Sequence, residues 1–144
     1  MKLNIKKLDE NAKIPTYGTE FSAGADLYNL GCTVNIPPHE TVLIHTGIAL
    51  EIPEGYCGLI FARSGLATKR GLAPANKVGV IDADYRGEVM VALHNHSEIS
   101  AEVAPFERVA QLAIVPFLHA DFSVVDELTD TVRGAGGFGS TGTK

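Results

Sequence analysis

The chain has 144 residues, of which 45% are hydrophobic and 20% charged, and its 12 basic and 17 acidic side chains give a net charge of −5. This length and apolar content predict one compact domain that needs no disulfide or metal support, and they exclude disorder for most of the chain. The acidic balance argues against a nucleic-acid partner, and no apolar run is long enough for a signal peptide or a membrane span. We therefore expect an intracellular, cytoplasmic protein with no membrane partner.

Apolar residues recur at every second position in short runs, as in Val89, Val91 and Leu93, and Gly, Pro, Asn and Asp bound these runs. This alternation predicts strands. The predicted strands cover residues 3–8, 25–28, 33–36, 41–51, 56–61, 77–81, 88–94, 99–103, 108–115 and 122–125. Many short strands without intervening long helices favour a sandwich, jelly roll or barrel over a parallel α/β sheet.

One short helix is predicted after Ser64, whose hydroxyl can cap the helix, and Gly71 is a suitable stop. The start of this helix also combines a cation, a hydroxyl and a glycine in Arg63, Ser64 and Gly65. Helix N-termini bind anions, so the segment is a candidate phosphate site, although Ser64 can equally serve as a cap alone.

Glycine makes up five of the last eleven residues. Such a tail is typical of a flexible terminus, but Arg133 and Phe138 are also the groups that a flap closing over a ligand needs. We divide the chain into a single β domain, 1–132, and a flexible lid, 133–144. Gly134, Gly136 and Gly139 fit the dinucleotide fingerprint by chance, because too few residues follow for the helix that the fingerprint requires.

Three other patterns carry little functional weight. Asn95-His96-Ser97 fits a glycosylation sequon but is interpreted as a turn, and His94 and His96 share a strand face without a third metal ligand. Cys32 and Cys57 lack the number and spacing of a disulfide framework or zinc site, so we expect reduced, buried thiols.

A denser cluster occupies residues 76–88, where Asp82, Asp84 and Glu88, together with Tyr85 and Arg86, directly follow an apolar strand. One interpretation is a hairpin whose Asp and Gly residues serve turn geometry alone. The other is a catalytic or binding hairpin.

Taken in order, these clusters resemble the five motifs of the trimeric dUTP diphosphatases (dUTPases) across nearly the whole chain. The matching segments are residues 23–27, 63–67, 79–88, 108–112 and 133–142. The resemblance implies an all-β, jelly-roll-like fold of the β-clip type, with one short helix and a flexible glycine-rich tail. It also implies a homotrimer with shared active sites that hydrolyses dUTP to dUMP and pyrophosphate, keeping uracil out of DNA and supplying dUMP for dTMP synthesis.

The same resemblance assigns roles to individual residues. Asp82 is expected to be the general base for water attack on the α-phosphorus, while Asp26 and Gln111 hold the cofactor Mg²⁺ through water. Asn76 and Gly79 are expected to pair with uracil and Tyr85 to pack on the deoxyribose, and Arg108 forms a structural ion pair at or near a subunit contact. The other expected substrate contacts come from the helix start and the tail: Arg63, Ser64, Gly65, Arg133, Phe138, Gly139, Ser140 and Thr141.

Two alternatives stay open at this point. The related dCTP deaminases share the fold and part of the nucleotide site, and a trimer could bind nucleotide as a regulator without catalysis. The intact hairpin and tail motif favour the diphosphatase.

Overall fold

The structure is a computed structural model that describes residues 1–137. Within these residues the chain forms eleven strands and one helix. The elements in chain order are β1 Asn4–Lys7, β2 Thr16–Tyr17, β3 Ala25–Tyr28, β4 Val34–Ile36, β5 Thr41–Glu51, β6 Tyr56–Ala62, α1 Ser64–Arg70, β7 Leu72–Pro74, β8 Gly79–Ile81, β9 Glu88–Asn95, β10 Ala101–Val103 and β11 Arg108–Pro116.

The strands form three antiparallel sheets. A four-stranded sheet has the order β1-β5-β9-β7, a five-stranded sheet has the order β2-β3-β11-β6-β8, and β10 pairs with β4. Consecutive strands are rarely neighbours in these sheets, so most connections cross from one sheet to another. The predicted all-β, jelly-roll-like fold with one short helix is confirmed.

One apolar core joins the three sheets. Alternating side chains of β9, among them Val89, Val91 and Leu93, are buried in the same cluster as Leu27 of β3 and Val103 of β10. Full burial of such side chains contributes roughly 1.5 to 3 kcal/mol each. The period-two pattern in the sequence therefore marks the faces that hold the sheets together.

Most predicted strands are present within two residues of their expected bounds, but the segment 122–125 is not a strand and is almost fully exposed. Its alternating apolar residues have no strand of the described chain to pair with. Two short strands, β2 and β7, were missed because two or three residues, one of them a proline in β7, give too little pattern.

Helix α1 begins differently from the expectation. Arg63 is the N-cap residue, with extended backbone angles, and no side chain caps the helix. The prediction that Ser64 caps it is wrong, because Ser64 already lies inside the first turn, where its carbonyl accepts a hydrogen bond from the Thr68 hydroxyl at 2.7 Å. The predicted stop at Gly71 is confirmed by its left-handed φ of 66°.

Two of the weaker patterns are also resolved. The Asn95 side chain is buried and donates to the carbonyls of Ile36 (3.0 Å) and Ile99 (2.7 Å), while its oxygen accepts from the Ser97 amide and hydroxyl. The sequon is thus a structural turn. The expectation of buried thiols is wrong, since Cys32 is exposed and Cys57 half-buried.

No helix in residues 1–137 has both the length and the apolar character that crossing a membrane would demand.

Candidate functional site

The structure gathers the residues of the predicted hairpin around one cavity. The prediction of a hairpin itself is wrong, because β8 pairs with β6 and β9 pairs with β5 and β7, in another sheet. The turn before strand β8, the strand itself and the loop that follows it place Asn76, Gly79, Asp82 and Tyr85 on the wall of a cavity of about 280 Å³. The rest of the wall is mainly apolar, with side chains that include Leu43, Ile60, Met90 and Ala92. We call this space the hairpin cavity. An apolar enclosure with a few convergent polar groups is the usual form of a small-molecule site.

Space for a side chain is tight at position 79. A Cβ atom there would lie 3.2 Å from the Asn76 side-chain nitrogen and 3.3 Å from the Ile60 Cβ. Both distances are shorter than ordinary contacts, so any larger residue would push Asn76 away. Asn76 and Gly79 therefore form one surface, as their predicted shared role requires.

Tyr85 is fixed in the loop by its own hydroxyl and by the glycine beside it. The hydroxyl donates to the Glu88 carbonyl at 2.9 Å, and the ring lies over Gly87, where a Cβ would come within 2.4 Å of the hydroxyl oxygen. The loop is braced further by hydrogen bonds from the Tyr85 amide to the Asp82 carbonyl (3.2 Å) and from Arg86 to the Ala83 carbonyl (2.6 Å). Residues 82–87 thus form a hydrogen-bonded loop that presents the exposed Asp82 carboxylate and the Tyr85 ring at the cavity.

A second group of predicted residues meets at the paired strands β3 and β11. The buried Asp26 carboxylate accepts hydrogen bonds from Arg63 Nε at 2.9 Å and from Arg108 Nη1 at 3.2 Å. Gln111 is the cross-strand partner of Asp26, and Gly24 leaves room for the Gln111 side chain. We call Asp26, Arg63, Arg108 and Gln111 the Asp26 cluster.

The Asp26 cluster shows the contacts of its two arginines within this chain. Arg63, expected on phosphate, uses its Nε for Asp26, and its Nη1 donates to the Arg108 carbonyl at 3.3 Å. The predicted structural ion pair of Arg108 exists, and its partner is Asp26 of the same chain. Ser64 and Gly65 lie next to Arg63 and are exposed.

A metal ion does not fit the Asp26 carboxylate as a direct ligand. Each carboxylate oxygen already receives a guanidinium, and the residue is only 4% exposed. Across the described part of the chain, no group of three or more His, Cys, Asp or Glu side chains could hold a metal ion. Mg²⁺ characteristically takes ligands from substrate phosphates and water.

The tail residues are only partly described. Arg133 is exposed, and its Nε donates to the Gly136 carbonyl at 2.8 Å within a turn that starts at Thr131. The expected contacts of the last seven residues lie outside the described residues: Phe138, Gly139, Ser140 and Thr141.

Sequence reasoning missed the contacts of Glu88. Its carboxylate accepts hydrogen bonds from His45 Nδ1 at 2.9 Å and from the Gly47 amide at 2.8 Å. Burial alone would raise the pKa of Glu88, but these hydrogen bonds and the positive charge of protonated His45 hold that pKa below its ordinary value. No local signal joins positions more than forty residues apart, so the pair could not have been found without the strand register.

Fold and site together define an all-β protein with a partly apolar cavity and a separate buried charged cluster. A family model described as dUTPase matches residues 10–142. Curated relatives include the deoxyuridine 5'-triphosphate nucleotidohydrolases of Nautilia profundicola, 51% identical over 99% of both chains, and of Hydrogenobaculum sp., 49% identical over the full length of both.

Solved structures agree with these relatives. A mutant dUTPase of Staphylococcus bacteriophage 80alpha with dUpNHpp superposes with a TM-score of 0.91, is 31% identical and covers 98% of each chain. A mutant dUTPase from phage phi11 of S. aureus, described for its coordination of a structural Mg(II) ion, has a TM-score of 0.80, is 29% identical and covers 88% of this chain and 98% of its own. The chain belongs to the dUTPase family and is a hydrolase.

Proposed function

We propose that the chain hydrolyses dUTP to dUMP and pyrophosphate, with uracil and deoxyribose in the hairpin cavity. The observation that carries this proposal is the convergence of Asn76, Gly79, Asp82 and Tyr85 on one cavity wall. The names of the curated relatives support the same substrate.

Base selection follows from the wall that Asn76 and Gly79 form. Because Gly79 carries no side chain, the uracil edge can approach the backbone and the Asn76 amide closely. A base with the wrong donor and acceptor pattern would leave these groups unpaired, which polar sites penalise strongly. The wall therefore selects uracil over cytosine.

Sugar selection follows from the Tyr85 ring. The ring is held over Gly87 and stands at the cavity surface, where it can pack flat on the deoxyribose. A ring fixed at both its hydroxyl and its face cannot yield to a 2′-hydroxyl. UTP is therefore excluded by lack of space rather than by a lost hydrogen bond.

For the chemical step, Asp82 accepts the proton of the water that attacks the α-phosphorus. Its carboxylate is exposed at the cavity, where a water can reach both it and the substrate. General-base catalysis of this kind contributes about 10² to 10⁴ in rate. Mg²⁺ would arrive on the triphosphate and neutralise part of its charge.

A homotrimer with shared sites is part of the proposal. The segment 117–132 carries apolar side chains that lie in solvent, including Leu118, Phe122, Val124 and Leu128. Exposed apolar side chains in such number are characteristic of an interface. A neighbouring copy would cover them and bring its charged groups, with residues 133–144 as a lid, to the cavity.

The direct test is pyrophosphate release from dUTP, dCTP, dTTP and UTP at equal concentration. We expect release from dUTP well above the other three. Ammonia from dCTP would instead indicate the deaminase alternative, and dUTP binding without release of either product would indicate a regulatory trimer.

Two further measurements test the assembly. Light scattering should give the mass of three chains, and a stable, active monomer would contradict the shared sites. Truncation before Arg133 should keep the trimer and remove most turnover, since the strands are untouched but phosphate contacts are lost. Full activity of the truncated trimer would show that residues 133–144 are no lid.

A further inference from the structure

Strand β5 is irregular where it faces the start of β9. His45 pairs with Met90 and Ala49 with Glu88, so three residues of β5 lie opposite Val89 alone. At the centre of this bulge Gly47 has a φ of +70°, and a Cβ there would lie 2.9 Å from the Ala12 Cβ. Only glycine fits both the backbone angle and the space.

His45 and the first two bulge residues, Thr46 and Gly47, bind the first two residues of β9. His45 Nδ1 and the Gly47 amide donate to the two oxygens of the Glu88 carboxylate at 2.9 and 2.8 Å, and the Thr46 hydroxyl donates to the Val89 carbonyl. We call these five residues, His45, Thr46, Gly47, Glu88 and Val89, the bulge clamp. The clamp holds Glu88 in place through the Glu88 carboxylate and through the carbonyl of the next residue, Val89.

The backbone of Glu88 in turn holds the Tyr85 side chain in place. Its carbonyl accepts the Tyr85 hydroxyl at 2.9 Å, and Glu88 lines the hairpin cavity together with Tyr85 and Met90. The side chain of Glu88 is 21% exposed, so its hydrogen bonds are partly shielded from water. Movement of Glu88 would carry the Tyr85 ring with it.

We propose that Glu88 is a positioning residue for sugar selection, which holds the Tyr85 ring against the 2′ position by anchoring it to the bulge in β5. The proposal rests on the proposed dUTP hydrolysis and deepens it. Glu88 does not touch the reacting atoms and acts through Tyr85. Loss of the clamp would loosen the ring, admit a 2′-hydroxyl and weaken the packing on deoxyribose.

The test compares kcat and KM for dUTP and UTP in Glu88→Ala, Glu88→Gln and wild type. In Glu88→Ala we expect KM for dUTP to rise and the preference for dUTP over UTP to fall by about tenfold, with kcat for dUTP changing less. Glu88→Gln keeps an oxygen that can accept from the Gly47 amide, so its preference should lie within about threefold of wild type.

A purely structural role is separated from positioning by two controls. Val103→Ala removes buried apolar volume on β10 and should lower the melting temperature without changing the preference. In a Tyr85→Ala background, Glu88→Ala should have no further effect on the preference, because the residue through which it acts is gone.

Should Glu88→Ala fail to fold, His45→Ala removes one bond of the bulge clamp from an exposed side chain and should shift the preference in the same direction by a smaller factor. A wild-type preference in folded Glu88→Ala or His45→Ala, or an additive effect in the Tyr85→Ala background, would overturn the positioning role. Those results leave wild-type dUTP hydrolysis intact, whereas failure of the proposed function would appear as wild-type protein that releases no pyrophosphate from dUTP.

Discussion

The loop at the hairpin cavity and the Asp26 cluster are held in place by different kinds of interaction. The loop 82–87 is held mainly by backbone groups and by Tyr85 packed over Gly87, while the Asp26 cluster is held by one carboxylate between two guanidinium groups. The loop is continuous in sequence, whereas Asp26 is 37 residues from Arg63 and 82 from Arg108. A loop that is continuous in sequence can therefore determine the shape of a ligand cavity. An ion pair between residues far apart in sequence determines how strands are placed relative to one another.

The largest effect is expected for Asp82→Asn, which keeps the shape of the loop but removes the proposed base. We expect folded protein that binds dUTP and turns it over about 10³-fold more slowly. Pyrophosphate release and dUTP titration measure the two properties separately. Asp9→Asn, in a turn near the N-terminus, is the matched control and should behave as wild type. Near-normal turnover in Asp82→Asn would remove Asp82 from the chemistry.

The Asp26 cluster should respond in stability. Asp26→Ala removes the buried partner of Arg63 and Arg108 and should lower the free energy of unfolding by about 2 kcal/mol, because both guanidinium groups lose their counter-charge but stay in partial contact with water. Denaturant titration at fixed protein concentration measures this loss. Glu98→Ala breaks the exposed pair with His39 and should change stability by less than about 1 kcal/mol. Equal losses in the two variants would show that burial of Asp26 is energetically unimportant.

Gly87→Ala sharpens the comparison within the loop, because the added Cβ must displace the Tyr85 ring. The preference for dUTP over UTP should fall roughly tenfold, as for removal of one shape-determining contact, while the fold remains. Gly18→Ala, where the nearest atom would be 3.7 Å away, is the control and should keep the preference. A Gly87→Ala enzyme as selective as wild type would mean that the ring position is unimportant.

The smallest expected effect concerns pH. Desolvation, together with His94, Lys77 and His39, lowers the pKa of His96, and the His94 and His96 rings are 4.4 Å apart. The folded chain thus resists protonation there more than the unfolded chain does, so stability should fall as pH drops below the ordinary histidine value of about 6.5. His96→Gln should flatten this part of a stability-against-pH curve. If the slope is unchanged in His96→Gln, groups other than His96 cause the loss of stability at low pH.

The two regions also differ in what the sequence could predict. The segment 76–88 was recognisable because its carboxylates, Tyr85 and glycines follow one another directly after a strand. The partners of Asp26 and the bulge clamp on Glu88 depend on strand register, which alternation alone does not determine. For the fold, long alternating strands such as β5 were predicted to the residue, while Leu72–Pro74 was too short and 122–125 had the pattern without a partner.

The position of β11 has a consequence for how the protein folds. Among the strands of residues 1–137, β11 is the last to be synthesised, yet it lies between β3 and β6 at the centre of the five-stranded sheet. During translation the edges of β3 and β6 that face each other have no partner until residue 116 has left the ribosome. Strands so far apart in sequence can pair only after the large loop between them has closed. The entropy lost in closing that loop slows folding. Folding of the newly made chain therefore depends on the late insertion of β11. Until then the unpaired edges of β3 and β6 are the places where two nascent copies would pair wrongly.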